Sequence, residues 1–95
     1  MSITSKQRSY LRSLSHHLNA NIIIGKNGLS DSSINSIKES LIKNELIKIK
    51  FLSKDKNKLK DEILKKTQSF IVGSIGKIII IYKSSGNNKG IELPK

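Results

Sequence analysis

An α/β fold is what this sequence predicts: a compact, mixed four-stranded sheet with three helices, in the order α-β-α-β-α-β-β. Three features point to it. Apolar runs of strand length alternate with stretches in which apolar residues recur every three or four positions. The last two strand-like runs, Ser69-Phe70-Ile71-Val72 and Lys77 to Lys83, are separated only by Gly73-Ser74-Ile75-Gly76, which suits a hairpin. At 95 residues the chain makes one small domain that buries only about two-thirds of its unfolded surface, so its core is modest.

The first helix is announced by Thr4-Ser5-Lys6-Gln7, a capping box with Gln7 three residues beyond Thr4. Leu11, Leu14 and Leu18 follow at helical spacing and form its inward stripe. Arg8 and Arg12 lie four residues apart, about a quarter-turn round from that stripe, with Ser15, His16 and Asn19 continuing their side. Residues 21 to 25 form a strand apolar enough for a central place in the sheet. Ser30 or Asp31 caps the second helix, whose Ile34, Ile37 and Leu41 face inward.

The next strand alternates, with Ile47, Ile49 and Phe51 on one face and Leu46, Lys48 and Lys50 on the other. Lys54-Asp55-Lys56-Asn57 turns into a third helix with Leu59, Ile63 and Thr67 inward. Strands alternating with helices and ending in a hairpin imply a mixed sheet whose faces the helices cover. Residues 1–84 form the domain, and 85–95 a tail. Across that boundary Ser84 to Gly90 has linker composition, and Ile91-Glu92-Leu93-Pro94 either docks as a short edge segment or stays loose.

Composition narrows the function. The 18 basic and 7 acidic residues give a formal net charge of +11 and an isoelectric point near 10.1, a field that attracts nucleic acid or anionic lipid. Lysine outnumbers arginine 16 to 2, so part of the excess is of the kind an AT-rich coding sequence gives. A membrane-surface binder needs apolar residues on an exposed face opposite its lysines, and here the core uses the apolar positions. There is no cysteine, which removes disulfides and thiolate metal sites. Without a secretory apolar segment or an 18-residue apolar stretch, a cytoplasmic protein is expected.

Gly25-Lys26-Asn27-Gly28 closes an apolar run and opens a helix. Glycines let the backbone approach a ligand and adopt positive φ, while the free N–H groups and dipole of a helix N-terminus favour an anion. Lys26 adds charge and Asn27 a hydrogen-bonding amide, so the loop suits phosphate, and in so basic a chain a polyphosphate backbone. The plainer alternative is a tight strand-to-helix turn whose glycines satisfy geometry alone.

In order along the chain, Lys6-Gln7-Arg8, Tyr10-Leu11-Arg12-Ser13-Leu14 and His16-His17-Leu18 resemble the first helix of a known family. Ile24-Gly25-Lys26-Asn27-Gly28-Leu29 resembles its signature loop, and Glu45-Leu46-Ile47-Lys48-Ile49-Lys50 the strand after its second helix. Ile75-Gly76-Lys77 and the terminal Ile91-Glu92-Leu93-Pro94 also match. The family is the CRM domain, named for chloroplast RNA splicing and ribosome maturation, in its single-domain bacterial YhbY-type form. The resemblance implies a fold similar to the C-terminal domain of translation initiation factor three. It also implies association with precursors of the large ribosomal subunit, and an RNA-contacting glycine loop akin to that of KH domains. By position that loop is Gly25, Lys26, Asn27 and Gly28. The departures are a tail rich in Gly and Asn and a second glycine pair, Gly73 and Gly76, placed at the hairpin, where glycine supplies bulge or turn geometry. Gly76-Lys77 is no nucleotide-binding loop, since that motif needs four residues between its glycines and Ser or Thr after the lysine.

Nothing in the sequence favours an enzyme. His16 and His17 are adjacent, so on a helix they point roughly 100° apart and cannot share a metal. One of them is expected to pack at the helix end and the other to be exposed. The carboxylates show no paired-acid or Ser-His-Asp context. No cofactor, metal or small-molecule substrate is expected. The sequence therefore points to a non-enzymatic, monomeric RNA-binding domain. Its contacts are Gly25, Lys26, Asn27 and Gly28, with Arg8, Arg12, Lys6 and His16 on the first helix extending the same surface. Lys48 and Lys50 are weaker candidates, because alternating lysines on a strand usually form a solvated face. Aromatics are scarce, and with Phe51 and Phe70 in the core no base-stacking platform is expected, so structured, duplex-like RNA is the expected partner, which the family resemblance implies is ribosomal. A DNA-binding module and a structural ribosome-associated protein are the alternatives.

Overall fold

The computed structural model describes residues 3–84. The elements are α1 (Ser5–Ser15), β1 (Ile22–Ile24), α2 (Asp31–Lys43), β2 (Leu46–Phe51), α3 (Lys56–Thr67), β3 (Phe70–Ile75) and β4 (Ile78–Tyr82). The strands form one mixed sheet in the order β1-β2-β4-β3. β1 runs parallel to β2, whereas β4 is antiparallel to both β2 and β3. The expected element order and mixed sheet are present. The expected tail lies outside the described residues.

Local chemistry explains the helix ends. The Thr4 side chain accepts from the Gln7 N–H at 3.1 Å while the Thr4 N–H donates to Gln7 Oε1 at 3.0 Å, completing the capping box. Ser30, not Asp31, caps α2, its Oγ accepting from the Ser33 N–H at 3.1 Å; Asp31 sits in the first turn, where the dipole favours its charge. α3 ends on Gln68 in the left-handed region (φ 54°), and the Thr67 hydroxyl, buried as expected, donates to the Ile63 carbonyl at 2.7 Å.

The period-2 alternation of β2 and β4 separates two cores. Ile47, Ile49, Phe51, Ile79 and Ile81 pack with Ile24, Ile34, Ile37, Leu41 and Ile63 under α2 and α3. Leu46, Ile80, Tyr82 and Val72 pack with Leu11 under α1. β4 is thus buried on both faces from Ile79 to Tyr82, which is why that run shows no alternation in its chemistry. Complete burial of one such isoleucine contributes about 1.5–3 kcal/mol. The Tyr82 hydroxyl is pushed up from its ordinary pKa, first by burial and then by the nearby Glu45 carboxylate.

Several expectations are corrected. β1 is not central but an edge strand. The α2 crossover sets it parallel beside β2, and β4 takes β2's other side, so Ile24 is buried while Ile23 is open to solvent. Leu18 lies beyond the end of α1 and packs on the α1 core from the connecting segment. Ser15 is not on the arginine side but fully buried, its Oγ donating to the Arg12 carbonyl at 2.6 Å. His16 and His17 are both exposed. Lys48 is half-buried and donates to the Leu18 carbonyl at 3.0 Å, so it ties the α1–β1 connection to the sheet instead of lying solvated. Phe51 is fully buried, and Phe70 is half-buried beside the α1 core.

Candidate nucleic-acid interface

At the C-terminal end of β1 the chain turns on Gly25 to Gly28, with the Gly28 N–H donating to the Gly25 carbonyl at 3.1 Å. Gly28 adopts φ +82°, a conformation that side chains rarely allow. Leu29 and the Ser30 cap then lead into α2. The Leu52 N–H donates to the Ile24 carbonyl at 2.9 Å just before the bend, and the Leu59 side chain of α3 lies beside Gly28, 3.8 Å from where a Cβ would stand. Gly25, Lys26 and Asn27 are exposed, and a Cβ at Gly25 would meet nothing within 4 Å. Lys26 and Asn27 therefore stand exposed on a bend whose Gly28 N–H is already used within the turn.

Lys26, Asn27 and Gly28 line an open groove with Ser53, Asp55 and Lys58. Asp55 is the N-cap residue of α3, yet its side chain makes no capping hydrogen bond. Glu62 lines the groove too, so two lysines stand against two carboxylates: an anion is attracted by Lys26 and Lys58 and repelled by Asp55 and Glu62. Sequence reasoning missed Lys58 and Ser53. A lysine in a first helical turn and a serine in a connection carry no local sign of which loop they face.

The first-helix candidates lie elsewhere. α1 covers the opposite sheet face from α2 and α3, and the loop lies beside Leu59 of α3. Arg12 reaches the β3 edge, where its Nη2 donates to the Val72 carbonyl at 3.3 Å, and its Nε would lie 3.3 Å from a Cβ at Gly73. Arg8 is half-buried with its Nε sequestered and without an acceptor among the described residues. Lys6 and His16 are exposed at the two ends of α1. The fold brings Gly25, Lys26, Asn27 and Gly28 together and sets Arg8 and Arg12 on another face. Arg12 has a structural partner as well as a charge.

The second glycine pair sits in a hairpin, with no helix after it. Gly73 lies inside β3 at a register irregularity between Ile71 and Gly73, and Gly76 makes the β3–β4 turn at φ +56°. Among the described residues no helix is long and apolar enough to cross a membrane.

A small, basic α/β domain with an exposed glycine-bounded loop between an edge strand and a helix is a class of architecture shared with other proteins. The family model of the CRS1 / YhbY (CRM) domain matches residues 3–83. Probable RNA-binding protein YqeI of Bacillus subtilis (strain 168) is 42% identical over 95 residues, covering 97% of this chain and 99% of the relative. An RNA-binding protein of Haemophilus influenzae is 34% identical over 96 residues, covering 98% of this chain and 96% of its own. Among solved structures, the solution structure of SAV1595 from Staphylococcus aureus, for which RNA binding has been suggested, superposes with a TM-score of 0.83. It is 41% identical and covers 97% of this chain and 99% of that one. The chain belongs to the CRS1 / YhbY (CRM) domain family.

Proposed function

We propose that this chain is a non-enzymatic RNA-binding protein that grips the phosphate backbone of structured ribosomal RNA through Gly25, Lys26, Asn27 and Gly28, and that it acts in assembly of the large ribosomal subunit. The observation that carries the proposal is the exposed bend itself. Three of its four residues face solvent, its glycines leave room for a phosphate, and a lysine stands inside it. The net charge of +11 supplies long-range attraction, and family members named as RNA-binding proteins support the choice of polymer. Lys6, Arg8 and His16 offer a second, weaker contact on the α1 face.

The test is binding of a structured RNA hairpin by the Lys26→Ala/Asn27→Ala variant. Affinity should fall about tenfold, the loss of one charge-assisted contact and one hydrogen bond, with an unchanged melting curve. Wild-type affinity should also fall steeply with salt, each phosphate contact adding about −0.7 to −0.9 to the log–log slope. Wild-type affinity in the variant, or a shallow salt dependence, contradicts the proposal. For the assembly role, sedimentation should place the protein with precursor particles and not with mature large subunits.

A further inference from the structure

One strip of the sheet has no cover. The pairing register sets Ile23 of β1 opposite Lys50 of β2, Lys50 opposite Ile78 of β4, and Ile78 opposite Ile75 of β3. Residues directly opposite share a face, so these four form a single row across the whole sheet. Ile24, Ile49 and Ile79 point toward α2 and α3, which puts the row on the α1 side. α1 covers Leu46, Val72, Ile80 and Tyr82 but stops short of this last row, where Ile23 is 60% and Ile75 63% exposed and Lys50 is exposed too. Two open isoleucines at the ends of the row, with the half-buried Ile78 between them, are costly to leave in water and mark a contact surface.

Charge selects the occupant. α1 and all four strands contain no acidic residue. The acidic residues among those described lie on α2, at or in α3, or, for Glu45, before β2 at the far end of the sheet. Lys50 stands in the middle of the row, Lys77 in the turn beside Ile75, and Arg12 lies along Gly73 just behind it. An apolar strip whose own sheet face and covering helix carry cations and no acidic residue fits a chain with flat apolar faces and a negative backbone. Ile23 is also two residues before Gly25, at most about 7 Å along the backbone. We infer that the Ile23–Lys50–Ile78–Ile75 row seats unpaired nucleotides of RNA, apolar base and ribose faces lying on the isoleucines and phosphates near Lys50 and Lys77, as a continuation of the strand held at the loop. This rests on the reading of Gly25 to Gly28 as a phosphate grip and extends it from duplex to the single strand beside it. Three interstrand steps of about 4.8 Å give the row a length of about 14 Å. Four-stranded RNA-binding sheets present two or three bases on such a face. Isoleucine contacts bases without hydrogen-bonding their edges, so sequence preference here is weak.

The experiment compares a blunt RNA hairpin with the same hairpin carrying a short single-stranded extension, using the full chain and an Ile23→Ser/Ile75→Ser variant. Both side chains are exposed, so the variant's melting curve serves as the folding control. The wild type should bind the extended RNA about tenfold more tightly, the effect of removing about 55 Å² of apolar surface from water. The variant should bind the blunt hairpin normally and lose most of that preference. Equal binding of both RNAs by the wild type, or an undiminished preference in the variant, overturns the inference; the latter would leave an apolar protein partner as the occupant. Nuclear Overhauser contacts between the Ile23 or Ile75 methyls and residues 85–95 in the RNA-free chain would overturn it as well. Failure of the loop reading is separate, since it shows as normal blunt-hairpin binding by Lys26→Ala/Asn27→Ala.

Discussion

Gly25-Lys26-Asn27-Gly28 and Gly73-Ser74-Ile75-Gly76 share one spacing, two glycines three positions apart, yet the fold uses them in opposite ways. The first lies between a strand and a helix, with Gly25, Lys26 and Asn27 exposed and Leu59 beside Gly28. The second is mostly strand. Gly73 is paired inside β3 and leaves room for the Arg12 guanidinium, and Gly76 only turns the chain. Glycine spacing by itself therefore does not define a phosphate site. The element that follows decides it, because a helix N-terminus adds free N–H groups and a favourable dipole, whereas a hairpin returns its amides to the ladder.

Substitutions at the four glycines sharpen this contrast. The largest stability effects belong to Gly28→Ala and Gly76→Ala, since both positions hold positive φ; each should lose about 1–2 kcal/mol in chemical denaturation. They should part in binding. Gly28→Ala weakens affinity for a blunt RNA hairpin, and Gly76→Ala leaves it unchanged. Gly73→Ala should be milder, about 0.5–1.5 kcal/mol, because Arg12 must shift a few tenths of an ångström and its bond to the Val72 carbonyl weakens. That cost should shrink in an Arg12→Met background, a non-additivity that a double-mutant cycle measures. Gly25→Ala should change stability least, within about 0.5 kcal/mol, because a Cβ there meets nothing. Any loss of RNA affinity in Gly25→Ala then reports a ligand seated on the loop, and wild-type affinity would break the contrast.

The sequence made some of this legible and hid the rest for identifiable reasons. The capping box at Thr4, the inward stripe of Ile34, Ile37 and Leu41, and the alternation of Ile47, Ile49 and Phe51 are local patterns, and local patterns survive folding here. The edge position of β1 was not legible, because three consecutive isoleucines signal burial without saying which neighbour supplies it. The pairing of Arg12 with β3 joins residues 60 positions apart, which no spacing rule reports. The open row was hidden for a similar reason. Ile78 looks like its three buried successors, and only the cross-strand register shows that α1 ends before reaching it. The four loop residues were legible as a unit because they are contiguous. Their companions in the groove, Lys58 and Ser53, come from separate segments and needed the fold.

The most direct measurement is the set of backbone amide resonances during titration of the chain with a blunt RNA hairpin. The account predicts that the amides of Gly25, Lys26 and Asn27 shift in proportion to bound RNA while those of Gly73 and Ser74 stay in place. Saturable hairpin binding that leaves the three loop amides unmoved would contradict it.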